Sequence, residues 1–183
     1  MIEIRAEHVH DVPARERLLD ACFPGNRHAK TSERLREGRR PARGLAFAAI
    51  RGGRLVGTLR LWHVEAGPAR PALLLGPLAV DPAIQGQGLG SVMMQAALGR
   101  AEALGHGAVL LVGDAPYYAR FGFDRALAEG LTLPGPFERE RFLGLELRAG
   151  ALAGVEGMVR ATGALSPVGA VANEAGVARR RAA

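Results

Sequence analysis

Cysteine is nearly absent. Cys22 is the only one in 183 residues, so neither an internal disulfide framework nor a cysteine zinc cluster can form, which fits a reducing compartment. Lysine is just as scarce: Lys30 is the only one among 24 basic residues. A P-loop, which needs Gly-Lys-Ser/Thr, is thereby excluded. Aromatic residues make up 5% of the chain, too few for the stacking platforms of single-stranded nucleic-acid binders. The net charge is +6, but Arg179, Arg180 and Arg181 carry half of it, leaving +3 over residues 1–178. Nucleic acid is not an expected partner. No apolar run approaches the roughly 20 residues of a membrane-spanning helix, so no membrane partner is expected either. The opening MIEIRAEHVHD has no basic region followed by an apolar one, so a signal peptide is not expected and a cytoplasmic location is. No repeat is visible, and no metal-ligand spacing stands out.

What is present is an ordinary globular composition, 48% hydrophobic and 23% charged, at a length that suits one domain. The alternation in IEIRAE predicts a strand over Ile2–Ala6. Asp11, with Pro13 behind it, predicts a capped helix to about Cys22 that turns Leu18, Leu19 and Cys22 to the core. A short helix is expected over Ser32–Glu37. Two apolar stretches around Gly52-Gly53 predict a hairpin. ALLLGPLAV reads as a buried strand that bulges or splays at Gly76-Pro77, because proline donates no ladder hydrogen bond. From Leu89 the apolar residues Val92, Met93, Ala96, Ala97 and Leu104 recur at helical spacing, with Gly105 as the stop. GAVLLVGD predicts a second buried strand, followed by a short helix capped by Asp114. FDRALA and RFLGLELRAG read as two further strands. The order describes a mixed α/β domain over residues 1–162 with one β-α-β crossover. Residues 163–183, rich in Ala and Gly with a basic end, read as a flexible tail.

The most informative stretch is VDPAIQGQGLG, residues 80–90, where Gly86, Gly88 and Gly90 stand at the entrance to a helix. Free N–H groups and a partial positive charge gather at a helix start, and glycines let successive amides converge on an anion. A plain strand-to-helix turn would also use glycine. A dinucleotide fingerprint fits only in part: the third glycine position holds Ser91, and DPAIQ separates the strand from the loop. The pattern Gln-x-x-Gly-x-Gly, with Gln85, Gly88 and Gly90, resembles the acyl-CoA pyrophosphate loop of the GNAT superfamily of N-acetyltransferases. Within that superfamily the bacterial YhbS-like group is the nearest in appearance. Matching motifs run from LGPLAVDPAIQGQGLGSVMMQAAL to GHGAVLLVGDAPYYARFGF, about Leu75 to Phe123.

The resemblance implies a GNAT fold: a central, mostly antiparallel sheet with one splayed, bulged strand pair and flanking helices. It implies acetyl-CoA as co-substrate, with the amides of Gln85, Gly86, Gln87, Gly88, Leu89, Gly90 and Ser91 around the pyrophosphate. The backbone of Leu78, Ala79 and Val80 would pair with the pantetheine arm. It also implies that Tyr118, four residues before the Gly122-Phe123 pair, sits beside the sulfur and protonates the departing thiolate; Tyr117 is the alternative. No base stands out. Glu65, at the end of the hairpin strand, is the candidate, directly or through water, with His63 two residues before it. The implied activity is direct transfer of an acetyl group to a primary amine, on a small molecule or a peptide. The alternative is a noncatalytic acyl-CoA-binding or sensing domain on the same fold. Nothing selects between monomer and homodimer. Residues 25–43 hold Arg27, Lys30, Arg34, Arg36, Arg39, Arg40 and Arg43 against Glu33 and Glu37, a net of +5. Such a lip would favour an acceptor with a carboxylate or phosphate beside its amine; the alternative is a solvated helix face made basic by arginine-rich composition.

Overall fold

The computed structural model describes residues 1–25 and 27–166; the flexibility expected of the last seventeen residues lies outside them. Its first strands follow local signals. β1 (Ile2–Ala6), β2 (Ala46–Arg51) and β3 (Arg54–Ala66) form an antiparallel meander, with Gly52 and Gly53 both at positive φ in the tight turn that joins β2 to β3. β4 (Pro71–Val80) returns antiparallel to β3. α2 (Leu89–Ala103) then crosses over to β5 (Ala108–Val112), which runs parallel to β4. β7 (Phe142–Glu146) closes that side antiparallel to β5, giving the order β1-β2-β3-β4-β5-β7.

Two short strands join this path from its side. β3 is thirteen residues long; its first half pairs with β2, while Val64, Glu65 and Ala66 pair with β8 (Gly157–Ala161), which itself pairs with β6 (Leu131–Thr132). Beyond β8 the chain stays attached. Thr162 and Gly163 donate to the carbonyl of His63, Arg40 donates to that of Ala164 at 2.8 Å, and Arg39 Nη1 donates to that of Gly163 at 2.5 Å.

α1 (Val12–Cys22) and α2 cover opposite faces. Ala48 packs with Leu18 and Leu19 of α1, whereas its neighbour Ala49 packs with Met93 and Ala97 of α2, as the alternation of a strand requires. α2 buries Leu89, Met93, Met94, Ala97 and Ala101. Val92, Ala96 and Leu104, expected on that face, are exposed. The helix is alanine-rich and apolar nearly all round, so spacing alone admits more than one face.

Other differences are local. The helix expected over Ser32–Glu37 is a 3₁₀ segment, Thr31–Leu35. FDRALA is not a strand: Asp124 bridges once to Gly144, then its carboxylate accepts from the N–H of Ala126 at 2.8 Å and the chain turns into a 3₁₀ segment. Asp11 precedes α1 but its side chain caps the turn before it, accepting from the N–H of His8 at 2.7 Å and from Arg5 at 2.7 and 3.0 Å. Among the described residues no helix is long and apolar enough to cross a membrane.

Candidate active site

The site begins with the bulge. In the β3–β4 ladder Leu59 faces Leu78 and Leu61 faces Leu75, so Gly76 and Pro77 together stand opposite Arg60. The indole N–H of Trp62 donates to the Gly76 carbonyl at 2.6 Å and holds the bulge in place. β4 and β5 are paired only at Leu73–Val109 and Leu74–Leu110. Past those residues the two strands part. Leu78, Ala79 and Val80 keep their pairing to β3 on one edge, and the other edge faces the gap. The cleft there has a volume of about 390 Å³.

The glycine loop lies next to the cleft, outside its lining, across the Tyr117 side chain. Gly86 and Gly88 have φ of +78° and +85°, and a Cβ on either would meet nothing within 4 Å. The space in front of the loop is therefore open, and a left-handed backbone there favours glycine. Among the described residues no backbone carbonyl accepts from the N–H groups of residues 85–90, whereas Ser91 and Val92 donate to Gly88. These free amides surround the start of a fifteen-residue helix, the arrangement that binds anionic groups. Gln85 has a bracing role as well: its Nε2 donates to the Val80 carbonyl at 3.0 Å. The Cys22 thiol donates to that oxygen at 3.2 Å, and burial raises its pKa. The Val80 carbonyl is thus already occupied, and Ala79, like Asp81, turns its backbone groups toward β3, which leaves Leu78 as the freer backbone on the gap edge of β4.

The other wall is α3 (Ala115–Ala119), which Asp114 caps by accepting from the N–H of Tyr117 at 3.2 Å. Both tyrosines line the cleft. The Tyr117 hydroxyl reaches the glycine loop; a Cβ on Gly90 would lie 2.9 Å from it. The Tyr118 ring packs edge-on against Phe123 at 5.9 Å and directly over Gly113, where a Cβ would come within 2.2 Å of Cε2. Burial pushes the Tyr118 hydroxyl up to about 12, so it stays protonated at neutral pH.

Glu65 is not brought to the cleft. It sits opposite Pro71 at the far end of β3, and its carboxylate accepts from the N–H of Ala69 at 2.9 Å across the β3–β4 turn. Four residues along a strand separate it from Leu61 at the bulge, roughly 13 Å. It is therefore no base candidate. His63 lies on the same stretch, against His106, with 5.4 Å between ring centroids. The acids that do line the cleft are Glu33 and Asp114, the first ion-paired with Arg36 at 2.9 Å and the second committed to its cap.

The basic lip divides. Arg27, Lys30 and Arg36 line the cleft; Arg34 instead donates to the Pro134 carbonyl, the Arg39 guanidinium holds the Gly163 carbonyl, and Arg40, outside the cleft lining, holds Ala164 through its backbone N–H. Arg141, absent from the sequence-based candidates, lines it too. Among the described residues no group of three or more His, Cys, Asp or Glu is placed to hold a metal ion.

A family model described as the acetyltransferase (GNAT) family matches residues 12–123, a span that runs from α1 through the bulge, the loop and both tyrosines. The chain belongs to the GNAT family. Its β4–β5 gap is accordingly the splayed strand pair of a GNAT fold. Among curated proteins it is similar to the uncharacterized N-acetyltransferase YhbS of Escherichia coli K12, 32% identical over 157 residues, 85% of this chain and 93% of that one. Among solved structures it is similar to the YhbS–CoA complex from Escherichia coli, with a TM-score of 0.75 and 31% identity over 88% of this chain and 89% of that one. A GNAT acetyltransferase from Brucella melitensis, solved with acetyl-CoA, gives a TM-score of 0.63 and 26% identity over 80% of this chain and 88% of that one.

Proposed function

We propose that the chain transfers an acetyl group from acetyl-CoA directly to a primary amine. The observation that carries this reading is the closeness of three features: free loop amides beside the cleft, an unpaired β4 edge, and a half-buried tyrosine that lines the cleft. The complexes of its relatives with CoA and acetyl-CoA support the same ligand here. The free amides of residues 85–90 face the pyrophosphate, and the β4 edge at Leu78 pairs with the amides of the pantetheine arm as an added strand would. Held this way, the thioester lies beside the bulge with its carbonyl open to an amine from the 27–36 side of the cleft.

The amine nitrogen attacks the carbonyl carbon; a C–N bond forms and the C–S bond breaks. The electron pair of that bond leaves on sulfur, which takes its proton from Tyr118 Oη. The nitrogen's surplus proton goes to water, since both acids in the cleft are engaged by Arg36 and by the α3 cap, and water returns a proton to the Tyr118 oxygen, which closes the cycle. Positioning supplies much of the rate in such a scheme and the proton donor a further ~10²–10⁴-fold. The test is turnover of acetyl-CoA with a panel of amines, following free thiol and acetylated product. Tyr118→Phe should lower kcat by that factor with acetyl-CoA affinity kept within a few-fold. A protein that binds acetyl-CoA and acetylates no amine would instead be a noncatalytic acyl-CoA sensor.

A further inference from the structure

The wall of the cleft that faces the bulge carries a cation the protein does not fully use. Arg36, just after the 3₁₀ segment, is only 8% exposed. Its Nη2 meets Ser32 Oγ at 3.3 Å and Glu33 Oε2 at 2.9 Å. Its Nε is buried without a partner, and among the described residues nothing accepts from Nη1. A Cβ on Gly76 would lie 3.6 Å from Nη1, so the guanidinium abuts the bulge, where the thioester is held in the reading above. Arginine stays protonated even when buried, and a buried donor without an acceptor destabilises the fold. An apolar side chain would fill this wall with less penalty. A guanidinium kept here, with donors open beside the acetyl position, is explained by a ligand that completes it.

The surrounding charge agrees. The cleft is lined by Arg27, Lys30, Arg36 and Arg141 against Glu33 and Asp114. Arg27 is consumed by Glu16 and Asp20, and Arg141 lies 3.5 Å from Glu138. Lys30 has no carboxylate partner among the described residues and rests over the Phe23 ring at 4.8 Å. The uncompensated positive charge on the acceptor side is therefore that of Lys30, while Arg36, whose charge Glu33 balances, contributes its open Nη1 donors.

We propose that the acceptor is a primary amine that also bears an oxyanion, and that Arg36 binds this oxyanion beside the bulge while Lys30 guides it from the mouth. The proposal rests on the acetyltransferase reading of the same cleft. A planar fork of donors suits a carboxylate or a phosphate, and a carboxamide or a second ammonium would leave the buried cation unmatched or repelled.

Matched acceptors test it, each pair sharing one amine: β-alanine against β-alaninamide, and phosphoethanolamine against ethanolamine, with spermidine as the cationic control. The expected result is at least a tenfold higher kcat/KM for the anionic member of one pair. That pair identifies the oxyanion as carboxylate or phosphate. In Arg36→Gln the preference should vanish through a raised KM for the anionic member. Lys30→Gln, at an exposed position that cannot unfold the domain, should reduce the preference about threefold through screened steering. If melting curves show Arg36→Gln unfolded, Lys30→Gln and the acceptor pairs decide alone. A separate titration of the wild type with the products N-acetyl-β-alanine and N-acetylphosphoethanolamine, without CoA, reads oxyanion binding independently of turnover. Binding of either that is lost in Lys30→Gln or Arg36→Gln, with no acetylation of any amine, would sustain the anion site and overturn the transferase reading. Equal or better use of the neutral amines or spermidine by an active enzyme would overturn the proposal and leave the transferase reading intact.

Discussion

Gly113→Ala isolates the role of the Tyr118 ring without touching the tyrosine. The added Cβ would lie 2.2 Å from Tyr118 Cε2, 2.8 Å from Cδ2 and 3.1 Å from Leu111 Cδ1. Gly113 has no left-handed φ, so the backbone accepts alanine and the ring is the obstacle. Carbon atoms rest about 3.5–4.0 Å apart, so the ring must shift by more than ~1 Å. Phe123 at 5.9 Å and Tyr117 at 4.9 Å restrict where it can go. Overpacking of this kind costs about 1–3 kcal/mol, and each kcal/mol lowers Tm by about 2–4 °C in a domain of this size. A misplacement of ~1 Å at a reacting group costs on the order of 10²-fold in rate. Steady-state turnover, calorimetric titration with acetyl-CoA and thermal melts should therefore show a loss near 10² in kcat, an unchanged affinity within a few-fold, and a lower Tm. The loop of residues 85–91 is untouched, which is why affinity should hold. In a Tyr118→Ala background the clash is gone, so adding Gly113→Ala should cost almost nothing in Tm. Wild-type turnover and Tm in the single variant, or a full penalty in the Tyr118→Ala background, would refute the placement of the ring.

Three further outcomes are expected. Gly88→Val puts a branched side chain at φ +85° into the open space before the loop, so acetyl-CoA affinity should fall more than tenfold in a titration, with a stability loss of about 1–3 kcal/mol from the backbone alone; normal affinity in the folded variant would remove the loop from the binding site. Glu65→Gln should leave kcat/KM within about twofold, since the amide oxygen can still accept from Ala69; a 10²-fold loss would restore Glu65 as the base. Asp11, whose carboxylate Arg5 and the His8 N–H hold down to about 2, has a folded pKa below its unfolded one. Its contribution, on the order of 1 kcal/mol once solvent screening of the Arg5 pair is allowed for, is present above about pH 5 and fades as pH falls toward 2. Asp11→Asn should therefore flatten the dependence of denaturant stability on pH across that window, and an unchanged slope would contradict the assignment.

The elements legible in the sequence are those with a local cause. β1 alternates, Gly52-Gly53 specifies its turn, Asp114 caps α3 with a bond three residues long, and Gly76-Pro77 bulges where proline withholds a donor. β8 was illegible because GMVRA has no alternation of its own and becomes a strand only against the far end of β3. Glu65 was misplaced for a related reason. A thirteen-residue strand carries its two ends far apart, and only the register with β4 shows which end meets the bulge. The basic segment was visible as charge, yet burial sorts its members: Arg36 turns inward, whereas Arg39 is spent on the carbonyl of Gly163, a contact 124 residues away in the chain. A charge-reversal of Arg39 would disturb that attachment and leave the acceptor side of the cleft unprobed.

The most direct measurement of the central claim is a single turnover, with protein in excess of acetyl-CoA and a competent amine present, quenched and weighed by mass spectrometry. Direct transfer in the cleft predicts one acetylated amine for each CoA thiol released and an intact protein mass that never gains an acetyl group. Acetyl-CoA that binds and stays intact with every amine offered, or an acetyl group found on the protein, would contradict it.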